Sequence, residues 1–307
     1  MFKVEALKGV LPALVSPLKS DGSVDEPAIG RLVDHVLAGG VHGLLALGST
    51  GETASLDEAA RRKVLGGVLE AARGRVPVIC GVAQSHLSAA RAEVDAAFAM
   101  GADAALVAPP FYYLIDQPTV LAFYRQLADH SRLPILLYNI PPLTKVVAEP
   151  ATVATLAREG TIAGIKDSSR DFEYFEGLCI ATRDMPGFRI FTGSDTMLLA
   201  SMTLGGAGTI CGAANVAPHW VVGIYNDYIR GALDAARNGQ DSLYQLIMAV
   251  RGGVFPGAIK AALELQGVCG PWSAPPVQQL DERLKARLRE QLDLWHLLTP
   301  TAAPARD

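Results

Sequence analysis

Two stretches of the sequence, PILLYNI at residues 134–140 and TIAGIKDS at residues 161–168, give the clearest indication of the architecture. Each is almost continuously apolar up to a polar end, which is typical of a parallel strand covered on both faces. Between them, residues 151–158 carry apolar side chains at intervals of three and four, as an amphipathic helix does. Together these segments have the pattern of one strand–helix unit of a parallel α/β fold.

The same unit repeats along the chain in both directions. Strand starts fall mostly about 27–34 residues apart, with a shorter interval before the last. Eight units predict a (β/α)8 TIM barrel over residues 1–236, followed by a C-terminal helical extension over residues 237–307. A doubly wound open sheet is the alternative, but its usual Gly-rich turn does not follow the first strand. The other predicted strands are 10–18, 43–48, 77–83, 104–110, 189–195 and 208–216, and the other predicted helices include 26–37, 56–72, 89–99, 119–128, 220–236, 241–265 and 281–298.

The composition excludes several classes of protein. Of 307 residues, 50% are hydrophobic and 19% charged, which is too apolar for a disordered chain. The net charge of −4, without a basic run, indicates no nucleic-acid partner. Without a signal sequence or an apolar run of about 20 residues, we expect a cytoplasmic protein with no membrane contact. The histidines and cysteines lack metal-ligand spacing, so we expect no metal and reduced thiols at Cys80, Cys179, Cys211 and Cys269.

Polar side chains gather at the ends of the predicted strands, where barrel enzymes build their active sites. The GGAG run at 205–208 matches no phosphate-binding motif, so we interpret it as a tight helix-to-strand connection. The polar runs are GSTGE at 48–52, PPFYY at 109–113, YNIPP at 138–142, GIKDSS at 164–169 and TGSD at 192–195.

Lys166 is the strongest candidate for a reactive group. It is one of only eight lysines, and it interrupts an apolar strand, so its side chain should lie in the upper barrel or its mouth. Burial disfavours the charged ammonium, and a neutral amine can attack a ketone to form an imine. The alternative is a structural lysine paired with Asp167 or Asp195, and spacing alone does not decide between the two.

Two neighbouring elements could complete such a site. Tyr138 lies one predicted strand earlier, and adjacent strands are ~4.8 Å apart, so its phenol could reach the imine and relay protons. Ordinary packing of Tyr138 is the alternative. The turn of Ser49, Thr50 and Gly51 offers N–H groups and hydroxyls that suit a small carboxylate, although it could equally be a simple strand-to-helix turn. Glu52 could cap that turn.

Taken together, these motifs resemble the dihydrodipicolinate synthase / N-acetylneuraminate lyase family of pyruvate-handling Schiff-base lyases and aldolases. The matching runs are GSTGE, YNIP, GIKD and GTICGAANV at 208–216, and the similarity extends to KAAL at 260–263. The resemblance implies a (β/α)8 barrel with a C-terminal helical extension that assembles as a homotetramer, a dimer of dimers. It implies pyruvate or another 2-keto acid and an aldehyde as partners, with no metal or organic cofactor.

The resemblance also implies roles for individual residues. Lys166 would form the imine and Tyr138 would act as the acid and base. Ser49 or Thr50 would link this phenol to Tyr112, which a neighbouring subunit supplies. The turn after the second strand would hold the carboxylate of the keto acid. The residues predicted to bind substrate are Gly48, Thr50, Gly51, Leu143, Gly193, Asp195 and Ile210.

Departures from the family pattern bear on the second substrate. Lysine-pathway synthases of the family usually carry an Arg, which grips aspartate semialdehyde, where this chain has Leu143. N-acetylneuraminate lyases often have Leu there, but they tend to have an acidic pair where Asp195 is followed by Thr196. The KDSS run at 166–169 looks more like aldolases of 2-keto-3-deoxy sugar acids. Arg170 follows where Gly is common, and it could meet an anionic substrate or lie in solvent.

The first hypothesis is therefore a class I aldolase or lyase that reversibly cleaves a 2-keto-3-deoxy acid into pyruvate and an aldehyde. Three alternatives use the same imine: 4-hydroxy-tetrahydrodipicolinate synthase, N-acetylneuraminate lyase, and a dehydratase or deaminase. A regulatory barrel that only binds a keto acid is the non-enzymatic alternative. The identity of the aldehyde is left open by the sequence.

Overall fold

The computed structural model describes residue 4 and residues 7–298. Its eight strands are parallel and neighbour one another in the order β1-β8-β7-β6-β5-β4-β3-β2. A bridge between Ala13 and Leu45 joins the first strand to the second and completes the ring. The predicted TIM barrel is confirmed, and the doubly wound sheet is excluded because the first and last strands pair. The strands are β1 (Gly9–Pro12), β2 (Leu44–Ala46), β3 (Val78–Val82), β4 (Ala104–Val107), β5 (Ile135–Asn139), β6 (Gly164–Asp167), β7 (Arg189–Thr192) and β8 (Gly208–Cys211).

Helices alternate with the strands and cover the outside of the barrel. Aspartates mark the starts of five of them, since each carboxylate accepts a hydrogen bond from a backbone N–H of the first turn. These caps are Asp25, Asp57, Asp116, Asp171 and Asp281. The helices are α1 (Glu26–Ala38), α2 (Glu58–Ala72), α3 (Leu87–Met100), α4 (Gln117–Ala128), α5 (Pro141–Thr144), α6 (Pro150–Arg158), α7 (Phe172–Ala181), α8 (Leu198–Thr203), α9 (Pro218–Ile229), α10 (Leu233–Val250), α11 (Gly257–Leu265) and α12 (Glu282–Leu294).

The C-terminal part departs from the predicted helices in two places. The single helix predicted over 241–265 is wrong, because the chain leaves α10 after Val250 and starts α11 at Gly257. Gly253, with φ 69°, and Pro256 occupy this break, and both residue types disfavour a continuous helix. The predicted segment 220–236 is likewise divided between α9 and α10, so the predicted boundary at 236/237 lies inside α10. Residues 299–307 of the predicted extension lie outside the described residues.

Two apolar layers stabilise the barrel. One lies between strands and helices, and the other fills the interior, where Leu45, Leu136 and Ile210 are fully buried. The GGAG run connects α8 to β8, as predicted. No helix within residues 7–298 is long and apolar enough to span a membrane. The polar strand ends therefore stand above a packed interior, at one mouth of the barrel.

Candidate active site

The centre of the site is formed by two side chains on neighbouring strands. Tyr138 on β5 is directly opposite Lys166 on β6 in the parallel register, so both side chains lie on the same face of the sheet. They are 6% and 3% exposed. The Lys166 Nζ donates to the Tyr138 hydroxyl at 3.3 Å and lies 4.4 Å from the centre of its ring. The Ser49 Oγ is 3.4 Å from the same hydroxyl, which extends the contact to the turn after β2.

The carboxylates near Lys166 are engaged elsewhere. The side chain of Asp167 accepts hydrogen bonds from the Asn139 Nδ2 at 2.8 Å and the Ser169 Oγ at 2.9 Å. Burial raises the pKa of Asp167, and these hydrogen bonds oppose that shift. The Oδ1 of Asp195 accepts from the Ala213 N–H at 2.9 Å. Among the ion pairs of the described residues none involves Lys166, so the structure does not support the alternative of a lysine paired with either aspartate.

Gly193 makes room for the lysine side chain. A Cβ at this position would lie 2.0 Å from the Ser168 Oγ and 2.8 Å from the Lys166 Cε. The absence of a side chain at the end of β7 therefore lets the lysine extend towards the barrel mouth. The Gly193 N–H donates to the Asp167 carbonyl at 2.6 Å, which fixes the two strand ends together.

The turn after β2 presents backbone groups to the site. The N–H of Gly51 is used inside the turn, where it donates to the Gly48 carbonyl at 3.0 Å, and the Gly51 carbonyl accepts from the Ser16 hydroxyl at 2.7 Å. The N–H groups of Ser49 and Thr50 have no acceptor within the described part of the chain. Gly51 therefore shapes the turn, while the two preceding residues carry the N–H groups that a bound anion could accept.

Glu52 has a different role from the cap that the sequence suggested. It makes no side-chain capping bond. Instead its carboxylate pairs with the Nζ of Lys260 on α11 and accepts from the Ala274 N–H at 2.7 Å. Lys260 also donates to the Trp272 carbonyl at 2.6 Å. This buried pair fastens the turn of the site to the C-terminal helices, because both of its partners are almost fully enclosed.

A cavity of about 330 Å³ opens at Lys166. A second cavity of about 330 Å³ adjoins it and shares Ser49, Tyr138, Ile140, Leu143 and Phe255 with it. Gly48 lines only the second cavity. Sequence reasoning missed the C-terminal wall, because it treated the segment around residue 255 as helix. Predicted residues on the Lys166 cavity are Ser49, Thr50, Tyr138, Leu143, Gly193, Asp195 and Ile210, and the wall that was missed includes Ile247, Val250, Arg251, Phe255 and Ile259.

Tyr112 does not join the site within this one chain. Its side chain is 85% exposed, its backbone has a left-handed φ of 85°, and its ring contacts Tyr113 at a centroid distance of 5.1 Å. It lines neither of the two cavities. The predicted proton relay therefore reaches from Lys166 through Tyr138 to Ser49 in this chain, and Tyr112 is presented outward.

The arrangement combines a buried amine, a phenol in contact with it and a cavity that admits a small molecule. Such a set can form an imine with a carbonyl compound and can move protons at the same carbon. Within residues 7–298, no three His, Cys, Asp or Glu side chains gather in a way that could hold a metal ion.

The sequence matches one family of known proteins over nearly its whole length. The model of the dihydrodipicolinate synthetase family matches residues 6–294. A 4-hydroxy-tetrahydrodipicolinate synthase of Hyphomonas neptunium is 37% identical over 95% of this chain and 99% of its own length. An uncharacterised DapA-like lyase of Halobacterium salinarum is 35% identical over 93% of each chain.

Solved structures of the same family share the fold of this chain. The prophage protein YagE of E. coli K12, crystallised in complex with pyruvate, has a TM-score of 0.91 at 29% identity and covers 95% of this chain and 99% of its own. The dihydrodipicolinate synthase of Thermotoga maritima has a TM-score of 0.92 at 30% identity, with coverage of 95% and 99%. The chain therefore belongs to the dihydrodipicolinate synthetase family, whose members are pyruvate-dependent lyases.

Proposed function

We propose that the protein is a class I aldolase that reversibly joins pyruvate and an aldehyde to form a 2-keto-3-deoxy acid. The observation that carries the proposal is the environment of Lys166. Its amine is buried, is 3.3 Å from the hydroxyl of Tyr138, is in no ion pair within the described residues and opens onto a cavity. No carboxylate of the described residues holds this amine in an ion pair, and an amine in its neutral form can attack a ketone that enters the cavity.

The reaction follows from these contacts. The Lys166 Nζ attacks the ketone carbon of pyruvate, and the resulting carbinolamine loses water to give an imine. The Tyr138 oxygen, having given its proton to the departing water, takes up a proton from the pyruvate methyl group, and the resulting enamine carbon attacks the aldehyde carbon. The aldehyde oxygen takes up a proton, for which Tyr138 is in reach, and water then releases the product and restores the lysine. The protonated imine serves as the electron sink, so the proposed reaction needs neither metal nor organic cofactor.

The keto-acid carboxylate has a natural place in the proposed complex. The N–H groups of Ser49 and Thr50 can donate to it, and the Thr50 side chain lines the same cavity. Ile210 is fully buried in the interior and forms part of the wall beside Lys166. The ketone carbon would then lie between this turn and the lysine.

Trapping of the imine tests the proposal directly. The protein is incubated with pyruvate and borohydride, and the modified peptide is mapped by mass spectrometry. We expect one reduced pyruvate on Lys166 and none on Lys260, which is equally buried but paired with Glu52. Protein that is folded by circular dichroism yet gains no mass on Lys166 would refute the mechanism. A screen of keto-deoxy acids for pyruvate release would then identify the aldehyde.

A second candidate is 4-hydroxy-tetrahydrodipicolinate synthase, which uses aspartate semialdehyde. The name of the Hyphomonas relative favours it. Against it stands Leu143, an apolar side chain that is 62% exposed on the cavity wall where an arginine would grip the substrate. An assay with pyruvate and aspartate semialdehyde, coupled to a reductase that consumes the product, decides between the two functions. Turnover comparable to that with other aldehydes supports the synthase, and no turnover above the blank excludes it.

We further propose that the protein acts in the cytoplasm as a homotetramer in which Tyr112 of a neighbouring copy approaches Ser49. The exposed cluster of Tyr112, Tyr113 and Leu114 supports such a contact, since large apolar side chains are seldom exposed together. Light scattering after gel filtration measures the assembly. A keto-acid-binding regulatory barrel would instead show a higher melting temperature with pyruvate but no turnover of any aldehyde.

A further inference from the structure

Two arginines reach the Lys166 cavity from different parts of the chain. Arg170 follows β6 by three residues, and Arg251 directly follows the last residue of α10. Both line the cavity, together with Lys166 itself. The loop after the lysine strand and the end of a C-terminal helix thus bring two permanent positive charges to one space.

Neither guanidinium is in an ion pair with a carboxylate of the described residues. Among residues 7–298, no hydrogen bond or ion pair joins a carboxylate to Arg170 or Arg251. The nearby acidic group on the cavity, Asp195, already accepts from the Ala213 N–H. Partial burial lowers the pKa of Arg251, and the positive charge of Arg170 lowers it further, while Asp195 opposes the shift. The two arginines therefore repel one another across the cavity, and a bound anion would relieve that repulsion.

The backbone at Arg170 adds a separate observation. Its φ of 63° lies in the left-handed region, which disfavours a residue with a Cβ. Residues held in such conformations cluster at active sites and ligand clamps. The sequence left open whether this arginine meets substrate or lies in solvent; the residue is exposed and also lines the cavity, so a molecule in the cavity can reach its side chain.

Much of the remaining wall is apolar, although Ser49, Thr50, Ser168 and Asp195 also line the cavity. Ile210, Ile247, Val250 and Ile259 are apolar, and Leu143 supplies no charge at the family's usual arginine position. The cavity is thus mostly apolar, with the Lys166 amine, which receives the keto acid, at one polar position and the two arginines at another. A substrate that fits carries a carbonyl at one end and a negative group at the other.

We propose that Arg170 and Arg251 form an anion subsite for the far end of the second substrate, so that the preferred aldehyde ends in a phosphate or a carboxylate. This inference rests on the proposed aldolase function. The bond that forms joins the methyl carbon of pyruvate to the aldehyde carbon, and the anionic group takes no part in the bond change. Guanidinium groups bind both anions through paired hydrogen bonds, so either can occupy the subsite.

Matched aldehydes test the subsite. Glyceraldehyde 3-phosphate is compared with glyceraldehyde, and succinic semialdehyde with butanal, in the native protein and in Arg170→Gln, Arg251→Gln and the double variant. We expect the native kcat/KM to favour at least one anionic aldehyde about 10–100-fold over its neutral match, with the loss in the variants falling mainly on KM. In each variant the loss on the anionic aldehyde should be larger than the loss on its neutral match. The pair that shows the larger preference identifies phosphate or carboxylate.

Two controls separate the possible failures. Arg237→Gln removes an exposed arginine of α10, the helix that Arg251 follows; Arg237 pairs with Asp234, and its loss should change neither preference. Borohydride trapping of pyruvate on Lys166 is measured in the native protein, and its absence there refutes the aldolase and not the subsite. Titration with inorganic phosphate needs no catalysis, and we expect the double variant to bind it at least tenfold more weakly. Equal phosphate binding, or a charge preference that persists in the double variant, overturns the inference.

Discussion

Replacement of Lys260 by methionine should destabilise the protein strongly, although Lys260 is not part of the proposed chemistry. Its side chain is 0% exposed and that of its partner Glu52 is 5% exposed. Burial lowers the pKa of Lys260, and the negative charge of Glu52 opposes that shift. Removal of the lysine leaves a buried carboxylate without a counter-charge and deprives the Trp272 carbonyl of its donor.

The size of the effect follows from these contacts. Removal of one partner of a buried ion pair costs about 3–5 kcal/mol. An unfolding entropy of about 2.1 cal/mol/K per residue, applied to the whole chain, converts this cost into a decrease of about 5–8 °C in the melting temperature. The double variant Glu52→Gln, Lys260→Met should recover part of the loss, because the glutamine oxygen can still accept from the Ala274 N–H and no unpaired charge remains.

Calorimetry at a fixed scan rate measures these temperatures, and pyruvate trapping on Lys166 shows whether the site survives. The matched control is Lys63→Met, since Lys63 pairs with Glu26 at 3.8 Å and both side chains are about 60% exposed. An exposed pair of this kind contributes about 0–1 kcal/mol, so the control should lose less than about 2 °C. A melting temperature of Lys260→Met equal to that of the control, or losses that simply add in the double variant, would contradict the reasoning.

Three further predictions concern single side chains. Tyr138→Phe should lower turnover about 100-fold or more, because it removes the hydroxyl at 3.3 Å from the Lys166 Nζ. The trapped adduct should also form more slowly. Unchanged rates of turnover and trapping would exclude the phenol as the proton donor. Tyr112→Phe should reduce turnover but leave the adduct on Lys166, and full activity would count against its role across a subunit boundary. Burial raises the pKa of the Cys179 thiol to about 11 and that of the Cys80 thiol to about 12. Alkylation by iodoacetamide should therefore begin at the half-buried Cys179, and its rate should rise about tenfold per pH unit between pH 7 and 10 as the thiolate fraction grows. Equal labelling of Cys80 in mass spectrometry, or a labelling rate independent of pH, would contradict this prediction.

Much of the barrel could be predicted from the sequence, because a strand buried on both faces leaves a nearly continuous apolar run. All eight strands lie within or overlap the predicted segments. The contact between Lys166 and Tyr138 follows from the same pattern, since residues at equivalent positions of adjacent parallel strands face one another. The local sequence therefore predicts those contacts of the site that depend only on the register of adjacent strands, such as the contact between Tyr138 and Lys166.

The parts that escaped prediction depend on contacts between distant segments. Glu52 and Lys260 come from a turn after β2 and a helix after the barrel, and no local pattern indicates that their charges meet. Arg251 was hidden inside a predicted continuous helix, because the break before Pro256 separates two stretches of the same helical periodicity. The C-terminal wall of the cavity is created by tertiary packing, which periodicity does not encode.

The two buried lysines of this chain show how surroundings assign a role to one residue type. Lys260 has a carboxylate and a carbonyl as partners, so its ammonium is compensated and the pair serves to fasten the site turn to α11. Lys166 has a phenol and an open cavity instead, so a carbonyl compound can reach its nitrogen. Exchange of these environments would exchange the roles: a carboxylate placed beside Lys166 would hold it as an ammonium and prevent imine formation. The Gly193→Asp substitution is unsuitable for this test, because its Cβ alone would meet the Lys166 Cε at 2.8 Å. Ile210→Asp would place a carboxylate on the same cavity wall, and we expect it to abolish pyruvate trapping at neutral pH in protein that is folded by circular dichroism; undiminished trapping would contradict the argument.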